Sequence, residues 1–517
     1  MRKLATSVEM RALDTGAIRS GVPGLVLMEH AGHGTFEAIR EHVRAEDIAL
    51  GAVILCGKGN NGGDGFVIGR KLLEIGIPAV AYLLGRVPDL AGDAAVNAQA
   101  FIAAGGPVVP LAAAADIRRF RDALEGAGLA VDALFGTGLN SPVKGIAAQA
   151  IDALNYAGIF VCSVDIPSGI SADNGAVMKT AVQADLTVTY GLEKPGQFLE
   201  PGRTHCGYLL LVPIPIPDSH IQKFQPSHEL VDPAGEGWDA ELRSRENNSH
   251  KGTYGHVLVL AGTHGKSGAA VLAALGAHAG GAGLVTIAVP QSLEPVVAAR
   301  QPETMTLLLS ESTPDGWAPE TARSILDALT PGHVLVLGPG IPVGKASGSV
   351  LQKILAETQI PVVLDADGLN LLANLKKAPK IKDLVLTPHP GEAARLLGTT
   401  TAKIQADRVG AARALAKKYA ATIALKGAGT VIAAPGKAVR LNPTGTPAMS
   451  TGGMGDLLAG FIGGMLASTS LDPVEAVTRA VWIHGRAAEM AEARTKRPSV
   501  LATEVFQYLG EAFEETG

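Results

Sequence analysis

Short apolar runs alternate along nearly the whole chain with Ala- and Leu-rich stretches in which apolar positions recur at helical spacing. That alternation predicts parallel sheets covered by helices on both faces, an α/β architecture. In the first half the strand candidates are Ala52–Leu55, Ala79–Leu84, Leu129–Ala133, Phe160–Val164, Leu186–Tyr190 and Tyr208–Val212. In the second half they are His256–Leu260, Gly283–Val289, Val334–Leu337, Val362–Leu364, Leu384–Leu386, Thr422–Leu425 and Val431–Ala433. Between the halves lies Pro213-Ile-Pro-Ile-Pro217, followed by a polar stretch through Gly237. Prolines at alternate positions cannot sit in a central strand and favour an extended connection. The chain therefore divides into a domain over 1–217, a linker over 218–237 and a domain over 238–517.

Composition narrows the class. With 47% hydrophobic and 18% charged residues in 517, the chain has ample core and is not disordered. A net charge of −5 without a basic block argues against nucleic acid as a partner. The three cysteines, Cys56, Cys162 and Cys206, are far apart, which suits a reducing compartment better than a disulfide scaffold. Met1 to Glu9 has no apolar signal core, and no uncharged apolar run reaches the roughly 20 residues that span a bilayer. A cytoplasmic protein without membrane contact is expected.

The first half carries a loop suited to a nucleotide-like ligand. The run Ala52–Leu55 enters Cys56-Gly-Lys-Gly-Asn-Asn-Gly-Gly-Asp-Gly65, and a helix is expected from about Phe66. Gly57-x-Gly59-x-x-Gly62 fits the dinucleotide fingerprint, with a strand before it and a helix after. An ordinary NAD site also has an acid closing the second strand; here Gly85-Arg86 stands there, and the next acid is Asp89. Asp132 closes another strand candidate, and Asp165 and Ser168 follow a third. Ligands bind at the carboxyl ends of parallel strands, so these loops can converge on one cleft. Asn61, Asp132 and Ser168 offer only oxygen, which suits a hard cation. Taken singly, each reads equally well as a helix cap or turn residue.

Gly59-Asn-Asn-Gly-Gly-Asp-Gly65, Asp132 with Phe135-Gly-Thr-Gly138, Asp165-Ile-Pro-Ser-Gly169, and Val8-Glu-Met-Arg-Ala-Leu-Asp14 with Met28-Glu-His-Ala-Gly32 resemble the NAD(P)H-hydrate epimerase family over about residues 1–216. The resemblance implies a Rossmann-like domain for hydrated NADH or NADPH, with potassium at Asn61, Asp132 and Ser168. It implies substrate contacts at Asn60, Asn61, Gly62, Gly63 and Asp64, at Gly136, Thr137, Gly138, Leu139, Asn140, Ser141 and Pro142, and at Asp165, which is also the candidate catalytic acid. His30 stands where that family usually has Asn.

In the second half, Gly262-Thr-His-Gly-Lys-Ser267 imitates a P-loop, but Leu260 occupies the position of its first glycine, so an ordinary polar turn is expected. Thr451-Gly-Gly-Met-Gly-Asp-Leu-Leu-Ala-Gly460 is the stronger signal. Its glycines let backbone N–H groups converge at a helix start, an anion hole for phosphate. Asp456 follows within the first turn and can act as a general base. A plain N-cap is the alternative. Ala424-Leu-Lys-Gly-Ala-Gly-Thr430 can cradle phosphates or simply turn the chain.

With His250-Lys-Gly252, Gly338-Pro-Gly340 and His389-Pro-Gly-Glu-Ala-Ala-Arg395, these motifs resemble the ADP-dependent NAD(P)H-hydrate dehydratase family, of ribokinase-like fold, over about residues 226–511. The resemblance implies nucleotide contacts at Lys426, Gly427, Ala428, Gly429, Thr430 and Gly455. It implies hydrate contacts at Gly340, at His389, Pro390, Gly391, Glu392, Ala393, Ala394 and Arg395, and at the catalytic Asp456. ADP is the implied co-substrate with Mg2+, and a homo-oligomer is expected. Thr446, Ala448 and His264 depart from that family's usual residues. The two resemblances name consecutive steps of one repair: epimerisation of the hydrate at C6, then ADP-dependent dehydration of the S epimer. A kinase of a small hydroxylated metabolite with a nucleotide-sensing first domain is the alternative, and a first domain serving only in binding is another.

Overall fold

A computed structural model describes residues 1–234, 236–238, 245–313, 315–375 and 381–517. Contacts divide the chain into one unit of Lys3–His228 and another of Glu229–Gly517 that includes Met1–Arg2. The segment 218–237, expected as a linker, carries a helix over Asp218–Lys223 and a strand over His228–Leu230. Gly235 of that segment and residues 239–244 of the second expected domain lie outside the described residues.

The first unit holds a seven-stranded sheet: β1 (Ala52–Cys56), β2 (Ala79–Leu83), β3 (Val108–Pro110), β4 (Leu129–Ala133), β5 (Phe160–Val164), β6 (Leu186–Tyr190) and β7 (Tyr208–Val212). The spatial order is β3-β2-β1-β4-β5-β6-β7, and every pairing is parallel. The order reverses at β1 and β4, the switch point where doubly wound sheets open a ligand crevice. Because both faces are covered, β1 and β4 are buried at every residue; β1 reads as an unbroken apolar run, and β4 is interrupted by Asp132. Alternate residues feed two cores, one holding Ile54, Phe66 and Phe101, the other Val53, Leu55 and Phe120.

Two helices bring residues to the crevice. Helix α1 (Ser7–Arg19) starts at a capping box in which Glu9 N–H donates to the Thr6 hydroxyl and Thr6 N–H to the Glu9 carboxylate. Helix α2 (Asn60–Glu74), with Gly59 as its N-cap, starts six residues earlier than the expected Phe66, so Asn60 to Asp64 form its first turns rather than a loop. The reason is packing. A Cβ on Gly62 would fall 2.0 Å from the Gly57 carbonyl oxygen, and one on Gly65 2.7 Å from Ala133 Cβ. The glycines that suggest a loose loop instead let a helix lie against strand ends.

The second unit contains β8 (His256–Leu260), β9 (Leu284–Pro290), β10 (Met305–Leu309), β11 (His333–Leu337), β12 (Val362–Leu364), β13 (Leu384–Leu386), β14 (Thr422–Leu425), β15 (Val431–Ala433) and β16 (Val439–Leu441). They lie in the order β16-β15-β14-β13-β12-β11-β8-β9-β10. The pairs from β14 through to β10 are parallel, and β14–β15–β16 are antiparallel. Helix α3 (Ser267–Ala279) crosses α4 (Met454–Ser468) at very close range: a Cβ on Gly460 would stand 1.8 Å from the Ala273 carbonyl oxygen. The Ala/Gly composition of α4 is thus the price of that approach, and the packing fixes where its N-terminus points. Among the described residues, no helix is long and apolar enough to cross a membrane.

Candidate active sites

In the first unit a cleft of about 920 Å3 opens over the carboxyl ends of the strands. Its lining includes Asn60, Asn61 and Asp64 from α2, Gly136 to Ser141 after β4, and Asp165 after β5. These expected residues are brought together. Gly62, Gly63 and Pro142 are not in the lining, and Gly63 faces Met28 instead. His30 is exposed and bonds only back along its own helix, Nδ1 to the Val26 oxygen at 2.8 Å.

Asp165 is held tightly. Its φ is +66°, in the left-handed region that non-glycine residues avoid. Such strain persists only where the surroundings over-determine it, and it clusters at functional sites. Here Asp165 N–H donates to the Val188 oxygen, Gln197 Nε2 donates to the Asp165 oxygen, and Lys194 Nζ donates to Asp165 Oδ1 at 2.5 Å. Lys194, 1% exposed, also donates to the Thr189 hydroxyl and the Tyr190 oxygen. Lys194 was not legible as a site residue, because it lies beyond the turn that follows the strand Leu186–Tyr190, whereas Asp165 directly follows its strand.

Two further acids share the cleft. Burial pushes the Asp14 carboxyl up to about 6, with Lys194 opposing and Asp165 adding to the rise. Burial, reinforced by Asp165 and Asp14, raises Asp64 well above the usual carboxylate range. Beneath the lining, Asp132 is wholly buried, which raises its pKa, while hydrogen bonds from Ser168, Ser163 and Leu134 oppose the rise. Ser168 Oγ donates to Asp132 Oδ1 at 2.5 Å and accepts from Phe135 N–H at 2.8 Å. Asn61 and Asp165 both face Gly136: a Cβ there would lie 2.9 Å from Asn61 Oδ1 and 3.3 Å from Asp165 Oδ2.

In the second unit, α4 starts at Gly453, whose φ is +92°, and Gly455 and Asp456 form its first turn. Lys426, after β14, donates from Nζ to Asp365 Oδ1 at 2.6 Å, and Asp365, after β12, is 1% exposed. Burial works against the Lys426 charge, but Asp365, Glu392 and Asp456 together raise its pKa above the lysine norm. Burial pushes Asp456 up to about 6, with Asp365 adding and Lys426 opposing. Glu392 rises to about 7, mainly by burial, with Lys426 opposing.

The stretch His389 to Arg395 opens the helix Pro390–Leu397 with a capping box: Gly391 N–H donates to His389 Nδ1, and His389 N–H donates to Glu392. Ala393 and Ala394 are buried on its core side, and Arg395 reaches Asn370 Oδ1 at 2.7 Å. The turn Gly427 to Thr430 is braced by Arg408, which donates to the Leu425 and Ala428 oxygens. Lys266 lies in the expected polar turn before α3, where it bonds Asp367 at 2.9 Å, and a Cβ on Gly340 would lie 3.0 Å from Lys266 Cβ. Asp365 and Asp367 follow the strand candidate Val362–Leu364, so the strand-end rule that selected Asp132 would have found them as well.

Two α/β units, each with acids and an ion-paired lysine at parallel strand ends, define an enzyme with two active sites. Residues 257–511 match the family model described as NAD(P)H-hydrate dehydratase, and residues 24–196 match YjeF-related protein N-terminus. The bifunctional NAD(P)H-hydrate repair enzyme of Moorella thermoacetica is 39% identical across 98% of this chain and 96% of its own. The enzyme of that name from Coxiella burnetii is 38% identical across 98% and 99%. A crystal structure of ADP/ATP-dependent NAD(P)H-hydrate dehydratase from Bacillus subtilis, co-crystallised with ATP/Mg2+, is 34% identical, with a TM-score of 0.48 over 55% of this chain and 97% of that one. The chain belongs to the family of bifunctional NAD(P)H-hydrate repair enzymes, which joins an isomerase to a lyase.

Proposed function

We propose that the first unit interconverts the R and S epimers of hydrated NADH and NADPH at C6, and that the second uses ADP to dehydrate the S epimer. The observation that carries this reading is the placing of Asp456 in the first turn of α4, beside the ion pair of Lys426 with the buried Asp365. Asp456 takes the proton of the C6 hydroxyl as its oxygen attacks the β-phosphoryl of ADP, and AMP leaves. Backbone N–H groups at the start of α4 hold the charge of the transferred phosphoryl. Phosphate is a far better leaving group than hydroxide, so its loss with the C5 proton restores NAD(P)H. In the first unit Asp165, paired with Lys194, is the carboxylate beside the reacting carbon.

Potassium fits the first unit. Asn61, Asp132 and Ser168 are hard oxygen donors, and the Asn61 amide has a buried terminal atom, placed as Nδ2, without a partner. Amide oxygen and nitrogen exchange by a simple flip, so an oxygen can face the same point. When bound, the cation would supply positive charge to the cleft. Mg2+ fits the second unit as a nucleotide-borne ion: no group of three or more His, Cys, Asp or Glu side chains among the described residues could hold a metal, and Mg2+ keeps waters and binds substrate phosphates. Bound there, it neutralises phosphate charge.

The buried free cysteines suit a reducing cytoplasm. Tyr208 and Leu211, 59% and 42% exposed on the sheet's outer strand, offer an apolar edge that a second copy would cover in a homo-oligomer. Assaying the full chain on a mixed-epimer hydrate decides the main reading. Complete conversion to NAD(P)H with release of AMP and phosphate is expected, whereas accumulation of a stable phosphorylated metabolite would restore the kinase alternative.

A further inference from the structure

We infer that Asp14 is a second proton-handling carboxyl of the first cleft, placed to protonate the departing hydroxyl while Asp165 receives the proton of the incoming water. Helix α1 turns Met10, Arg11, Asp14 and Ile18 toward the cleft, a spacing that fits one helical face. Asp14 Oδ1 is buried and has no hydrogen-bond partner. The nearest cation does not supply one. Lys194 has three N–H donors, and Asp165 Oδ1, Thr189 Oγ1 and the Tyr190 oxygen take them. The groups facing Asp14 are Lys194, Asp165 and, on α2, Asp64, with Arg11 on its own helix. His220, from the helix Asp218–Lys223, packs against Gly16 further along α1. Burial pushes the Asp14 carboxyl up to about 6, with Lys194 opposing and Asp165 adding to the rise. Asp165, by contrast, is ion-paired. The cleft therefore sets two carboxyls whose proton affinity is raised, Asp14 and Asp64, beside one that is ion-paired, Asp165, the division that acid–base chemistry needs.

The reaction requires that division. Carbon C6 of the hydrate bears both a hydroxyl and the ring nitrogen. The Asp14 proton passes to the hydroxyl oxygen, the C6–O bond breaks as the nitrogen lone pair forms a C6=N1 bond, and water leaves. Water then adds to the opposite face as that double bond returns its electrons to nitrogen, and its proton goes to Asp165. Solvent carries the proton back to Asp14. No atom or electron is gained or lost across the cycle.

This inference rests on the epimerase reading of the cleft, and the test separates the two. Full-length enzyme is assayed for interconversion of the purified R and S hydrates without nucleotide. An inactive parent enzyme overturns the epimerase reading itself. With an active parent, Asp14→Asn is expected to lower kcat by about 100-fold or more with little change in KM, while ADP-dependent dehydration of the S hydrate is unchanged. The parent's kcat should fall as pH rises through about 6, and Asp14→Asn should lose that limb. Asp14→Glu should recover part of the rate and shift the limb. If Asp14→Asn fails to fold, as judged by circular dichroism, Asp14→Glu decides alone. A kcat within threefold of the parent in Asp14→Asn, or an unmoved pH limb in folded Asp14→Glu, overturns the inference.

Discussion

Lys426 and Asp365 form an ion pair, Nζ to Oδ1 at 2.6 Å, directly beneath the first turn of α4. A Cβ on Gly455 would stand 3.1 Å from Lys426 Nζ and 3.3 Å from Asp365 Oδ2. The partners come from β14 and β12, with β13 between them. The pair thus spans three strands and sets the floor on which the phosphate-binding helix start rests.

Breaking that floor should cost stability as well as activity. Lys426→Met leaves Asp365, 1% exposed, without its cation. Removing one partner of a buried pair costs about 3 kcal/mol or more. Denaturant unfolding of the full chain should show the transition of the second unit shifted to lower denaturant, with that of the first unmoved. An unshifted second transition would mean the pair is energetically idle.

Asp456→Asn should abolish ADP-dependent dehydration, by roughly 100-fold or more in kcat, and leave epimerisation intact. The two motifs lie in separate units. Loss of both activities in a folded variant would defeat the two-site assignment.

The pH dependence follows from the same carboxyl. A general base must be ionised, and Asp456 stands at about 6, so dehydratase kcat/KM should fall about tenfold per pH unit below that value. Stability runs the other way. The folded pKa lies above the ordinary 3.8, so the contribution of Asp456 is fully present below that value and is lost as pH rises to about 6. Asp456→Asn never ionises and should gain stability relative to the parent at pH 8 but not at pH 3. Equal differences at the two pH values would contradict the burial argument.

Exchanging potassium for lithium or choline should raise the epimerase KM several-fold while dehydration by the second unit continues. Titration of the dialysed protein with KCl, followed by thermal shift, gives an independent readout. Indifference of both measurements to the cation would remove potassium from the site.

Where the chain is cut should matter. Ile221 and Phe224 pack with Met10 and Leu13, and Lys3 Nζ donates to the Ile221, Gln222 and Phe224 oxygens. A fragment ending at 228 should therefore melt higher than one ending at 217, and it should epimerise the hydrate without nucleotide. Residues 229–517 alone should consume only the S epimer and stall near half conversion of a racemic mixture. Consumption of both epimers at equal rates would remove the reason for the fusion.

The central strands were legible because burial on both faces leaves an unbroken apolar run, as at Val53 to Cys56 and Leu258 to Leu260. The strands that escaped notice, Arg2–Leu4, Val108–Pro110, His228–Leu230, Met305–Leu309 and Val439–Leu441, lie toward the outer ends of the sheets. Met305 and Leu308 there are 45% and 50% exposed, so packing imposes a weaker pattern. Loop acids such as Asp165 announced themselves by following a strand. Lys194 did not, because its role depends on a turn that carries it back to Asp165 across 29 residues. Asp14 was hidden for another reason: an acid in the middle of an amphipathic helix looks like an ordinary solvent-facing charge.

Helix α2 also constrains how this protein can change over generations. Gly62 and Gly65 already touch neighbouring atoms, and Gly69 is equally confined, with Ile54 and Phe101 atoms 2.7 Å from any added Cβ. No single side chain fits at these positions without moving a strand or a core aromatic. Random mutagenesis should therefore find this stretch almost devoid of neutral variants. The turn opposite is different: a Cβ on Gly138 meets nothing within 4 Å, and Asn140 and Ser141 are exposed at the cleft. New ligand preferences in a lineage of such enzymes would have to arise from that permissive rim, while the helix facing it stays frozen.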